Sequence, residues 1–418
     1  MSKMRWLVLS FLLMCLSLKS LANYNVLNRY RLMDDRFKTM KLLNPYGHDF
    51  FLDLSGYGNL KILDIVDEAK AVNSMKVSQI EKYNNAVLFV KKYMDTEYFL
   101  KANLSVGVPL FSFWALGTKF VPDFRSDINI GSNISINYEN DRLTPETILK
   151  YVNGVPDEIK DAIVARFNSY SGGDDLINDD VCTDAGIPLG ATCDALKGNA
   201  FFPSDLTLPS VGAFIKADAK TGLLLNFFRR KFFGYLNLYW RLQYDFLIRK
   251  SVESIAWNGK IWDTGNTIPR KSSIGTDFKI GHQFNHFSIL GMVEDVELTS
   301  MSKVSKLNEN KNPVYRLHLD SKLKYSSFGL TPFVGIHKRQ GYRIKEGLYG
   351  GADIGFYFWQ DKISCQFRGM LDSEHFTPLW RIKLWVVLLE YSVKLPIAKK
   401  VDEIKTSTLH SLNLRVFF

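Results

Sequence analysis

Apolar and polar residues alternate with a period of two along most of the chain from about residue 98 onward. In the clearest stretch every second residue is apolar, so that Leu236, Leu238, Trp240, Leu242, Tyr244 and Phe246 alternate with Asn237, Tyr239, Arg241, Gln243 and Asp245. The same pattern occurs at 100–110, 127–138, 315–325, 353–371 and 410–418. Because successive side chains of a strand point to opposite faces, each segment has one apolar and one polar face.

The length of these segments indicates which kind of β-structure they build. They run for about nine to thirteen residues, whereas strands of soluble sheets most often have about five or six. Strands of this length cross a bilayer at a tilt. Short turns alternate with long loops at 139–209, 249–272 and 297–313. We therefore predict an all-β fold: a transmembrane antiparallel up-and-down β-barrel of about 12–14 strands, with short N-terminal and loop helices.

The two ends of the chain carry export and assembly signals. Residues 1–22 combine a positive start, an apolar core and a small-residue end, which predicts a signal peptide cleaved between Ala22 and Asn23. An uncleaved anchor is the alternative interpretation. The last strand ends in an aromatic residue, Phe418, and resembles the assembly signal of bacterial outer-membrane barrels. We expect the bacterial outer membrane as the location, with its lipid, its lipopolysaccharide and the barrel-assembly machinery as partners.

Composition agrees with an exported barrel. The 418 residues have a mean hydropathy of −0.08, which excludes a protein of many apolar helices, and 14% aromatic residues exclude a disordered chain. A formal net charge of +10 suggests nucleic-acid binding, but export makes that partner implausible. Five tryptophans lie mostly near predicted strand ends or loops, as in the aromatic girdles of membrane barrels: Trp257, Trp262, Trp359, Trp380 and Trp385.

Two segments do not follow the barrel pattern. Residues 23–97 contain a predicted helix near 64–82 and are interpreted as an N-terminal segment that can plug the lumen. Residues 139–209 form a predicted helical insertion in the barrel domain, which we assign to 98–418. Within that insertion, Cys182 and Cys193 are close in sequence, which in an oxidising compartment predicts a local disulfide. Two free thiols or a metal pair remain alternatives.

Candidate chemistry is sparse. His318 and Asp320 share one strand face and could form an acid–base pair, although polar residues are ordinary on the inner face of a barrel. The aspartates around Cys182 could bind Ca²⁺ but lack the spacing of a calcium-binding loop. No nucleophile-elbow, zinc-protease or phosphate-loop motif occurs. We predict no catalytic residue, no cofactor and no metal, with an enzyme site assembled from separate strands as the alternative.

Three stretches are similar to the FadL/PorV/TraF-type group, the long-chain fatty-acid transporter superfamily in the broad sense. Residues 273–281 with 287–296 resemble its strand–turn–strand repeat with an acidic turn. Residues 350–355 resemble its glycine-rich late strand, and 389–392 with 408–412 resemble its closing pair of strands. The transporters of that group have an N-terminal plug with an Asn-Pro-Ala element, where this chain has Asn44-Pro45-Tyr46.

The resemblance implies one of two functions and no enzyme activity. The first is transport of a small, hydrophobic molecule across the outer membrane, through an apolar pocket controlled by residues 23–97. The second is a non-transporting barrel that docks a partner of a secretion, conjugation or surface-assembly system. An apolar pocket that ends at a gap in the wall would favour the first function, and a narrow, filled lumen would favour the second.

Overall fold

The structure is a computed structural model that describes residues 26–42, 50–59, 61–74, 85, 88–89, 92–93, 96–137, 183, 210–251, 269–304, 312–325, 327–359, 362–401 and 404–418. Ala22, Asn23, Cys182 and Cys193 lie outside the described residues, as do Trp257 and Trp262. The predicted cleavage site and disulfide therefore stay predictions.

Fourteen long strands among the described residues form one closed antiparallel sheet, as the alternation predicts. They are β1 (Phe51–Gly58), β2 (Thr96–Pro109), β4 (Thr118–Asn137), β5 (Ser210–Arg229), β6 (Phe232–Ser251), β7 (Arg270–Gln283), β8 (Phe287–Val304), β9 (Val314–Ser321), β11 (Phe328–Lys338), β12 (Leu348–Phe358), β13 (Ile363–Asp372), β14 (His375–Leu384), β15 (Val387–Pro396) and β18 (Leu409–Phe417). Short strands extend the sheet at β3 (Phe113–Ala115), β10 (Leu323–Tyr325), β16 (Lys400–Val401) and β17 (Ile404–Lys405).

The ring closes through β1, the first strand of the chain. It pairs antiparallel with β18 on one side and with β2 on the other, so that Asp53 lies opposite both Arg415 and Ser105. The wall thus begins at Phe51 rather than near residue 98. The sequence pattern did not assign this strand to the barrel, because it is short and has glycines at Gly56 and Gly58.

The faces of the wall are inverted relative to a soluble protein. On β6, Leu238 and Trp240 are 50% and 46% exposed, whereas Asn237, Arg241 and Asp245 are buried. An apolar outer face around a polar interior suits a barrel that has lipid outside. This architecture places the chain in the outer membrane.

The two ends of the barrel differ. We call one the turn end: there tight turns join the strands, and Trp359 and Trp385 lie exposed in turns with positive φ. Phe418 lies there too, 74% exposed, with its ring 5.2 Å from that of Phe50. The opposite loop end carries the longer connections, including the one between Asn137 and Ser210. Exposed aromatics at the turn end agree with an interface girdle.

The helices with described bounds are α1 (Val26–Leu42), α2 (Ile62–Ser74) and α3 (Ile344–Gly347), and residues 85, 88–89, 92–93 and 183 are also helical. The described part of the chain contains no helix that is both long and apolar enough to cross a membrane. Helix α2 overlaps the helix predicted near 64–82. Helix α1 was not predicted, and its buried charged side chains occupy part of the lumen.

Candidate functional site: a helix-plugged lumen

Helix α1 lies inside the barrel at the loop end. Nearly all of its side chains are buried although charged residues occur on every side of it, including Arg29, Arg31, Asp34, Asp35 and Arg36. A charged helix can be buried only where its charges meet partners. The inward-facing polar residues of the wall and the residues of its loop end supply those partners.

One cluster of ion pairs joins Arg29 and Arg36 of α1 to two carboxylates at the loop end. The Arg29 guanidinium donates to Glu97 at the start of β2 (Nη2–Oε1 2.6 Å) and to Glu374 in the β13–β14 turn (Nη1–Oε1 2.9 Å). Arg36 lies against the same Glu374 carboxylate (Nη1–Oε2 2.8 Å). All four side chains are buried, so each charge depends on the others for the solvation that it has lost.

A second cluster surrounds Asp34 and Asp35 in the middle of the helix. The Asp35 carboxylate accepts hydrogen bonds from Arg339 Nε at 2.9 Å and from the Tyr342 hydroxyl at 2.8 Å. Arg316 on β9 donates to the backbone carbonyl of Asp35 at 3.1 Å. On the opposite wall, Lys101 of β2 donates to Asp34. Helix α1 is therefore tied to strands or turns on several sides of the ring.

The carboxylates of these clusters are held in their charged form. Burial alone disfavours that form, but Arg36 and Arg29 outweigh it and hold the pKa of Glu374 below its usual range. For Asp35, burial is likewise outweighed by Arg339 and Arg316, and its pKa is lowered too. The network is thus fully charged at neutral pH.

Apolar packing adds a smaller set of contacts. The Tyr30 ring lies 5.1 Å from Phe214 and 5.6 Å from Phe99, and the Phe37 ring lies 4.4 Å from Tyr57. Gly131 on β4 makes this close approach possible, because a side chain there would meet the Tyr30 hydroxyl at 2.5 Å. The helix therefore seats its aromatic residues against one side of the wall.

A cavity of about 340 Å³ lies between α1 and the turn end. Besides aromatic residues, its lining contains many charged ones, namely Asp34, Lys38, Asp53, Lys101, Arg125, Asp127, Lys216, Asp218, Lys220, Asp277, Lys279, Glu294 and Arg415. The transport hypothesis from the sequence expects an apolar pocket, and this cavity combines aromatic with charged residues. The physical reason is the alternation itself, because it directs the apolar residues of each strand outward and leaves polar ones for the lumen.

A bulge in the wall adds a further charge to the lumen. The β7–β8 register shifts around Asp277, and Asp295 has a φ of 62°. Its buried carboxylate accepts from Lys220 at 2.7 Å and from Arg339 at 2.9 Å. The family resemblance predicted an acidic turn in this stretch, whereas β8 continues through it to Val304. Two consecutive acidic residues in an otherwise alternating strand were the available signal of a bulge.

The other candidate residues belong to the wall. His318 Nε2 lies 3.6 Å from Asp320, and its Nδ1 lies 3.2 Å from the Tyr349 hydroxyl. Within the described ranges, no group of three or more potential ligands could hold a metal ion. Cys365 has an unpaired thiol on the exposed outer face of β13. The functional side chains of α1 were missed because no apolar stripe marks that helix in the sequence.

Comparison with known proteins finds similarity of overall architecture only. No family model and no curated protein matches the chain. Among solved structures, the transport unit of the Escherichia coli autotransporter AIDA-I is 6% identical over 95% of this chain and 99% of its own, with a TM-score of 0.35. A TodX mutant described as a monoaromatic hydrocarbon channel is 9% identical over 89% of both chains, with a TM-score of 0.36.

A mutant porin of Rh. blastica is 7% identical over 88% of this chain and 99% of its own, with a TM-score of 0.28. Scores and identities this low carry no argument about function. Any assignment of function therefore depends on the residues of the lumen.

Proposed function

We propose that the chain is an outer-membrane channel that is closed at its loop end by α1 and carries a small molecule when that helix moves. The observation that supports this most is the position of α1, which is buried in the lumen directly beside a cavity of about 340 Å³. A cavity of this size suits a small molecule.

The contacts of α1 are of a kind that can be exchanged. Arg29, Arg36 and Asp35 bind the wall through ion pairs and hydrogen bonds, and water can replace these partners once the lumen opens. Removing an apolar helix from an apolar core would offer no such replacement. The polar lining of the lumen therefore favours a movable plug.

The lining also bears on the cargo. Transport of a hydrophobic molecule, and with it the FadL-type resemblance, stays a prediction. A cavity with seven basic and six acidic residues in its lining favours a solute that carries polar groups, because each of these residues would otherwise lose water to an apolar solute without gaining a partner.

A second function is favoured by the filled loop end. A lumen occupied by a helix and crossed by ion pairs suits a barrel that docks a partner of a secretion, conjugation or surface-assembly system. The long connection between Asn137 and Ser210 would then present the docking surface. Lipid, lipopolysaccharide and the barrel-assembly machinery are proposed partners under either function.

Solute uptake into proteoliposomes separates the two functions. We expect vesicles that contain the full-length chain to take up labelled glucose or labelled palmitate faster than protein-free vesicles do, and the preferred solute defines the cargo class. A change in gel mobility on heating verifies that the barrel is folded. If folded protein gives no uptake of either solute, including below pH 4 where α1 is expected to be released, transport of these solute classes is contradicted and the docking function is favoured.

A further inference from the structure

The half of the cavity nearer the turn end carries two basic residues on strands that are separated by two others in the wall. Arg125 lies on β4 and Lys279 on β7, and both side chains are half-buried in the lining of the same cavity. They differ from most other basic residues of the lining, whose charges are compensated by acidic partners.

Most other basic residues of the lining have acidic partners. Lys101 binds Asp34, Arg415 binds Asp53, and Lys220 Nζ lies 2.7 Å from Asp295. These pairs leave little net charge where they occur, and their acidic groups are already engaged.

Arg125 and Lys279 differ. Across the described ranges neither takes part in an ion pair, and Nε of Arg125 is buried without a hydrogen-bond partner. Their like charges act on each other, and Glu294, the acidic residue that acts most on Lys279, is bound to Arg316 at 2.7 Å. A buried donor without an acceptor is costly, so this part of the cavity is prepared for an acceptor that comes from outside the chain.

Aromatic rings lie beside both basic groups. The Arg125 guanidinium carbon is 5.5 Å from the centre of the Phe51 ring, and Lys279 Nζ is 5.6 Å from that of Tyr235. Cation–π contacts of this kind attract a positive charge without using its N–H donors. The rings also offer faces against which the apolar body of a ligand can pack.

Two acidic residues flank Arg125 on β4 at equal sequence distance. Asp123, on the side of the turn end, accepts a hydrogen bond from Asn226 at 2.8 Å. Asp127 follows Arg125 by two residues on β4 and lies opposite Ser105 and Lys220 in the sheet register. An anionic group is therefore best placed between Arg125 and Lys279, away from the two carboxylates that flank Arg125 on β4.

We propose that this part of the cavity binds a small organic anion, with its carboxylate at Arg125 and Lys279 and its apolar body against Phe51 and Tyr235. The planar guanidinium of Arg125 suits a carboxylate, which it can bind through two parallel hydrogen bonds. This inference rests on the proposed function and names the class of solute that the channel selects.

Calorimetric titration of the full-length chain in detergent tests the site with three probes of one shape. Benzoate carries the charge, benzamide is its neutral counterpart and benzylamine carries the opposite charge. We expect benzoate to bind at least tenfold more tightly than benzamide and benzylamine. Benzoate binding no tighter than benzamide, or benzylamine binding best, would overturn the assignment without any variant being needed.

Charge-removing variants locate the site. Arg125→Gln and Lys279→Gln should each weaken benzoate binding at least tenfold and leave benzamide unaffected, whereas Arg230→Gln, which removes an exposed charge from the β5–β6 turn, should change neither. Unchanged benzoate affinity in both folded cavity variants would refute the placement. Benzoate binding without solute uptake would refute only the channel, and uptake without preference for anions would refute only this site.

Discussion

In this barrel charged residues are buried and apolar residues are exposed, the reverse of what is expected in a soluble protein. Asp35 is 0% exposed, whereas Leu238 is 50% exposed, because the lumen rather than the surface is the polar phase. The buried charges therefore determine what the lumen can do. Among them, Glu374 joins Arg29 and Arg36 of α1 to the wall, and its removal or protonation should weaken the closed state most directly.

Acid should release α1 only well below neutral pH. Because the pKa of Glu374 is lowered when α1 is bound, its contribution to the closed state is complete above its ordinary pKa of about 4.3. That contribution is lost as the pH falls towards the lowered value. Asp34 and Asp35 act in the same direction. We expect channel opening to stay constant between pH 8 and pH 6 and to rise only below about pH 4.

Planar-bilayer recordings across this pH range measure the effect. Glu374→Gln is the matched variant, because it keeps the shape of the side chain and removes its titration. The variant should open more often than the wild type at neutral pH and respond less to acid. A wild-type channel that opens progressively between pH 8 and pH 6 would show that another group controls closure.

Strands and helices differ in how far they could be predicted. The long strands follow from a local property, the alternation of residues such as Leu236 and Asn237, which also set their inner and outer faces. Helix α1 could not be predicted, because its charges are compensated by Glu97, Arg339 and other residues far away in the sequence. Strand β1 is stabilised by pairing with β2 and with the last strand, β18, and no local pattern in the sequence indicates that pairing.

The outer face of a strand should not tolerate charge. Leu238→Arg places a guanidinium on the lipid side of β6, and we expect it to lower the free energy of unfolding by about 2–4 kcal/mol, the cost of Arg near the bilayer midplane. Denaturant unfolding in lipid vesicles measures this. Leu116→Arg is the control, because Leu116 is exposed in a turn. The free energy of unfolding of this variant should differ little from that of the wild type. Equal stability of both variants would contradict the assigned lipid face.

Across the whole molecule, function depends on which inner side chains the closed ring brings together. The sequence identifies Arg125 and Lys279 as inward positions of separate strands, but only register and closure place them in one cavity. The chemistry of the cavity follows for the same reason from the sum of the inner faces, which line it with both aromatic and charged residues. The plug and the cavity together support the proposal that α1 closes a channel.

Single-channel recording of the wild type, Arg36→Ala and Lys92→Ala tests that claim most directly. Losing one partner of a buried ion pair costs about 3–5 kcal/mol, so Arg36→Ala should raise the open time at least tenfold above that of a mostly closed wild type. Lys92→Ala removes the exposed pair with Glu68 (2.7 Å) and should match the wild type. A wild type that is continuously open, or an Arg36→Ala channel that stays as closed as the wild type, would contradict the account.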